Sequence, residues 1–164
     1  MATSPARDVR APRFDSLFQE AYLNLWRTYD RLKALEDELF SGFDLSAQQY
    51  NALRLLEASH PATVPTLTLG TRLISRAPDM TRMLDRLEER GLVHRERRPE
   101  NRRVVEVGIT SDGLKLLEQI APAVQQCHKQ QLGHLSAKDL KQLVELLQRV
   151  RQPHEETDSL WRNP

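Results

Sequence analysis

From residue 14 onward, large apolar side chains return every three or four positions: Phe18, Tyr22, Leu25, Tyr29, Leu32 and Leu39, with Leu17, Ala21 and Leu35 broadening the stripe. That spacing gathers them on one helix face and predicts a helix over roughly 14–40, stopped near Gly42. Ser46 followed by Gln49 has the spacing of a capping box, so a second helix is expected over 46–59, ended by His60-Pro61. A short third helix is expected over 67–73. Pro78 lacks the N–H that a first helical turn leaves unpaired, and it opens a fourth helix over 78–90. Met80, Met83, Leu84 and Leu87 make the buried stripe of that helix, and Gly91 supplies its left-handed stop.

Beyond Gly91 the period shortens. Stretches 92–98 and 104–109 read as strands joined by the turn Pro99-Glu100-Asn101-Arg102, with Val105, Val107 and Ile109 alternating onto one face. Thr110 caps a helix over 111–132 carrying Leu114, Leu117, Ile120, Val124 and Cys127, which Pro122 should bend. Ser136 caps a last helix over 137–151 with Leu140, Leu143, Val144, Leu147 and Val150. Residues 1–13 are expected to be a flexible arm, and 152–164, with Trp161, a tail. The order short helix, recognition-type helix, hairpin predicts a winged helix-turn-helix. The fold expected is mainly α with a small β-wing, six helices plus a β-hairpin. Residues 45–110 would be the DNA-binding domain, and 14–44 with 111–151 a helical dimerisation region. Long amphipathic helices at both ends are hard to cover within one small domain, and an intertwined homodimer solves this economically. Its two reading helices would lie about 34 Å apart, one turn of duplex.

Composition sharpens this picture only locally. The net charge is +1, which does not advertise a polyanion partner. Between Arg72 and Arg103, however, ten arginines face six acids, so that segment is +4 and the remainder −3. A basic module on a neutral body is the footprint of a DNA reader. The single cysteine, Cys127, excludes an intrachain disulfide and suits a reducing, cytoplasmic setting. No apolar run approaches the ~18 residues of a membrane span. Neither a phosphate-cradling glycine loop nor a nucleophile–base constellation is present, so no enzyme, cofactor or catalytic residue is expected. Five histidines (60, 94, 128, 134, 154) lack helical zinc-ligand spacing, and no metal site is assigned. Cys127 sits on an apolar stripe, the place of a structural thiol.

The words LISRAPDMTRMLDRLEERGLV, the wing RRPENRRVVEV and the closing ITSDG resemble the MarR family of bacterial transcription regulators, the resemblance running over about 14–151. It implies a triangular homodimer whose first and last two helices form the body. It also implies repression at a near-palindromic operator, relieved by a small anionic or aromatic effector. At the wing tip the family carries Asp-Xaa-Arg; here Asn101, Arg102 and Arg103 stand there. The match makes Arg103 the minor-groove residue and Asn101 its brace, one that accepts a hydrogen bond without providing an ion pair.

Base contacts come mainly from the N-terminal half of a recognition helix, so Arg76, Pro78, Asp79, Thr81 and Arg82 are the expected groove-facing set. Arginine can fork onto guanine O6 and N7, and proline or threonine can touch a thymine methyl. Arg86 suits a phosphate, and Arg102 and Arg103 a narrow minor groove, whose negative potential attracts guanidinium. Asp85 and Glu89 would repel phosphate and are expected to orient arginines. An effector cleft would draw on Tyr22, Trp26, Tyr29, Leu53 and Leu56. Two other readings stand beside this one: a winged-helix dimer that binds proteins rather than DNA, and a redox- or metal-responsive regulator.

Overall fold

The computed structural model describes residues 14–75, 79–97, 103–155 and 159. Six helices are present among them, in the order the apolar periodicity demands: α1 Leu17–Ser41, α2 Ala47–Ser59, α3 Thr66–Arg72, α4 Met80–Glu89, α5 Ser111–Leu132 and α6 Ala137–Arg151. The strands are β1 Val64–Pro65, β2 Val93–Glu96 and β3 Glu106–Ile109. The chain divides into two units, Met1–Ala34 and Leu35–Pro164.

In the first unit, α1 presents Leu17, Phe18, Tyr22, Trp26 and Tyr29 to the outside, each at least 60% exposed. Tyr22 and Trp26 touch through tilted rings 6.2 Å apart.

The second unit holds the core. Leu53, Leu56, Leu69, Leu84, Leu87, Ile120, Val93 and Val107 are sealed at its centre, so α2, α3, α4, α5 and the sheet share one apolar interior. Local chemistry fixes the element ends. Ser46 Oγ accepts from the amide of Gln49, whose side chain returns to the Ser46 amide at 2.8 Å, so the capping box is complete. Gly91 adopts φ +69, the left-handed stop that residues with a Cβ reach at a steric cost. Thr110 caps α5, and Gly113 one turn later lies so near the Leu92 carbonyl that a Cβ there would approach it to 2.3 Å. Helix α5 continues through Pro122 as one element.

The expected hairpin proves to be part of a three-stranded antiparallel sheet of order β1-β3-β2. The extra strand is two residues long, below what periodicity can reveal. It pairs Val64 with Val107, and both the amide and the hydroxyl of Thr66 donate to the Val105 carbonyl. This makes β3 the central strand. All four of its residues are buried, rather than alternating between core and solvent. Helix α6 buries none of its residues, and Val144, Leu146 and Val150 are about half exposed or more.

Candidate nucleic-acid interface

Helix α4 begins where Asp79 accepts the Arg82 amide at 2.9 Å, an N-cap that satisfies one of the donors a helix start leaves open. Met83, Leu84 and Leu87 pin one face to the core. Periodicity then turns Thr81, Arg82 and Arg86 to the exposed side. None of Arg82, Arg86 and Arg103 forms an ion pair with a described residue, which leaves their guanidinium forks unspent.

Three devices hold α4 in place. At the approach, the Ile74 amide donates to Asn51 Oδ1 at 3.0 Å and Gln48 Nε2 to Ser75 Oγ at 3.3 Å, so α2 fixes the chain after α3. At the far end, Arg90 donates to the carbonyls of Phe43, at 3.1 Å, and Asp44 in the link between α1 and α2. Between α4 and the wing stands Arg95 of β2. Its amide donates to Glu88 Oε1 at 3.1 Å, its Nε to Glu88 Oε2 at 2.9 Å, and its Nη2 reaches Asp85 Oδ1 at 2.7 Å. The Arg95 guanidinium lowers the Glu88 carboxyl below its ordinary value, chiefly through the side-chain hydrogen bond. The same bond raises Arg95, with Asp85 adding to it.

The wing root is closely fitted. His94 lies opposite Gly108, and a Cβ on Gly108 would stand 2.4 Å from the imidazole. Glu96 and Glu106 face each other across the ladder, and the Thr63 hydroxyl donates to both. Arg103 is exposed just ahead of β3. A cleft of about 490 Å³ at this root is lined by Arg95, Glu96, Arg97 and Val105.

The expected site residues fall into several groups. Asp79, Thr81, Arg82, Arg86 and Arg103 are exposed on α4 and at the wing. Asp79 is also the cap, so one of its carboxylate oxygens is committed to the helix. Arg76, Pro78, Asn101 and Arg102 lie outside the described residues, as do the arm 1–13 and Trp161. Of the five residues expected at an effector cleft, Leu53 and Leu56 have no exposed surface and belong to the core, while Tyr22, Trp26 and Tyr29 stand exposed on α1. Asp85 does orient an arginine, as its sign demanded. Its larger partner in that task, Glu88, went unread because the pair bridges a helix and a strand across the Gly91 turn. Arg95, which composition shows only as one more basic residue, is held by two acids.

Cys127 is buried, and burial together with the Glu36 charge pushes its thiol up, away from the reactive thiolate. No cluster of three metal-ligating side chains occurs among the described residues, and no helix among them is long and apolar enough to cross a membrane.

Comparison with known proteins matches residues 45–105 to the MarR family model. A crystal structure of a MarR transcription factor from Planctomyces limnophilus is 61% identical, covering 82% of this chain and 98% of that one, with a TM-score of 0.67. The HTH-type transcriptional repressor IacR of Pseudomonas putida is 25% identical over 154 residues, 91% of each chain. The structure of Bordetella bronchiseptica BpsR, whose DNA binding is regulated by 6-hydroxynicotinic acid, is 25% identical and covers 85% of this chain and 97% of that one at a TM-score of 0.72. An α4 with an unburied arginine face, a wing beside it, and this degree of likeness lead to one assignment: the chain belongs to the MarR family of winged helix-turn-helix, DNA-binding transcription regulators.

Proposed function

We propose that this regulator works as a homodimer on a near-palindromic operator in the cytoplasm, as a repressor released by a small aromatic or anionic effector. In this reading each α4 enters a major groove with Thr81 and Arg82 toward the bases, and Arg86 rests on phosphate. Arg76, Pro78 and Asp79 are further base-contact candidates in this reading. Each wing carries Arg103 to the adjacent minor groove, and Asn101 and Arg102 are assigned to the same contact in this reading.

The observation that carries the reading is the free arginine face of α4, opposite a stripe locked into the core. A helix held so firmly by one side offers the other as a rigid template, and guanidinium groups with no ion-pair partner among the described residues are available to an external anion such as phosphate. Repression is supported by the likeness to IacR, which is named a transcriptional repressor, and control by a small molecule by the likeness to BpsR, whose DNA binding is regulated by 6-hydroxynicotinic acid. The exposed aromatic surface of Tyr22, Trp26 and Tyr29 suits an aromatic effector.

Two-fold assembly is supported by the apolar surface left on α1 and α6. Burying a side chain such as Phe18 or Leu17 stabilises by about 1.5–3 kcal/mol, so several together suffice to drive association.

The deciding experiment is selection of genomic fragments by the purified chain, followed by mobility-shift titration of those retained. A shared two-fold motif and a shift resistant to random-sequence competitor support the proposal. Retention of no fragment above background defeats it and favours a protein-binding winged helix.

A further inference from the structure

We infer that Arg95 is a positioning residue for DNA reading: with Asp85 and Glu88 it clamps the recognition helix to the wing and sets the angle between the two DNA-contacting parts. The inference rests on the DNA-reading function proposed above.

The clamp has an unusual division of labour. Glu88 uses both carboxylate oxygens on one residue, taking the backbone amide of Arg95 at 3.1 Å with Oε1 and its guanidinium Nε at 2.9 Å with Oε2. The strand backbone and the strand side chain are therefore both fixed by one helix residue. Asp85, one helical turn earlier, receives Nη2 at 2.7 Å, which prevents the guanidinium from rotating about its own stem. Glu88 and Asp85 project from α4 three residues apart, the spacing that puts two side chains on one face. That face lies between the core stripe and the arginine face, where it meets β2.

Geometry gives the clamp its importance. A helix in the major groove and a hairpin in the minor groove must match a duplex whose groove spacing is fixed, so a small change in their relative angle misplaces one contact or the other. Charge matters too. Two carboxylates on a DNA-reading helix would repel phosphate, and Arg95 offsets their field while contacting no nucleotide itself.

The test compares a selected genomic operator duplex with a random-sequence duplex of equal length, for the native chain, R95Q, E88Q and the swapped pair E88R/R95E. Thermal unfolding of each is recorded alongside. The clamp predicts that R95Q and E88Q each lower the operator-to-random affinity ratio by roughly tenfold or more, that the swapped pair, which rebuilds the side-chain ion pair but not the bond to the strand amide, restores part of it, and that the salt dependence of operator binding by R95Q keeps its native slope. A phosphate contact predicts otherwise: R95Q weakens both duplexes alike and reduces the slope by about one, while E88Q, by removing an acid, binds both more tightly. That pattern overturns the clamp, as does an unchanged ratio in E88Q. Should R95Q fail to fold, E88Q and the swapped pair decide the matter alone. If the native chain binds neither duplex, the DNA-reading function falls and takes the clamp with it. A native chain that prefers its operator, with an E88Q ratio equal to its own, sinks the clamp only.

Discussion

At the scale of single residues, the arginines differ in what they are free to do. Arg82 and Arg86 project from a helix whose opposite face is sealed, and Arg103 stands exposed before β3. Replacing Arg103 with Ala should weaken operator affinity and reduce its salt slope by about one phosphate equivalent, measured by mobility shift at several salt concentrations. Unchanged binding would remove the wing from the mechanism. Replacing Arg82 with Ala should relax the preference at one base pair in each half-site, costing ~1–3 kcal/mol of discrimination. Selection from a randomised library reads this directly, and uniform weakening across all sequences would reduce Arg82 to a phosphate contact. The exposure of Arg82 and Arg86 was legible because helical periodicity divides a helix into a core side and an exposed side, whereas Arg103 was singled out by the family resemblance. The role of Arg95 was not legible. Its partners lie in another element, and its count as one more basic residue gave no hint that two acids hold it.

Among the elements, end signals proved the most readable part of the chain. The Ser46–Gln49 box, the Gly91 stop and the Thr110 and Ser136 caps all depend on short-range chemistry, which a sequence displays openly. Changing Ser46 to Ala should lower stability by about 1 kcal/mol, seen as a shifted denaturant midpoint with the slope unchanged. Strand β1 escaped notice because two residues carry no period and its partner lies some forty positions away. The junction of α4 and β2 carries a pH dependence. Arg95 keeps the Glu88 carboxyl below its ordinary 4.5, so the folded chain binds that proton less readily than the unfolded chain does. The stabilisation from this pair is therefore complete above the unfolded value and disappears as pH falls through the lower folded one. Native protein and E88Q should accordingly differ in thermal midpoint near neutrality and converge in acid. A difference that persists undiminished in strong acid would show that Glu88 stabilises by packing rather than charge.

For the molecule as a whole, the open question that apolar patterning poses is what covers α1 and α6. Periodicity foresaw both stripes, and Phe18, Tyr22, Trp26, Val144 and Val150 stand in the open. Sedimentation should therefore find a dimer at micromolar concentration, and replacing Phe18 and Val150 with Asp should yield monomers. A well-folded native monomer at that concentration would count against two-fold assembly. The effector region was less legible, since an apolar residue in a helix looks the same in sequence whether it lines a cleft or fills a core; Leu53 and Leu56 fill the core. The Arg95 amide, finally, belongs to β2, an outer strand of the sheet, and it is the Glu88 carboxylate that occupies it. Outer strands invite lateral addition of foreign backbone, the first step toward fibrils. The recognition helix thus shields the strand beside it, and a chain stripped of Glu88 should seed thioflavin-positive aggregates sooner than its parent.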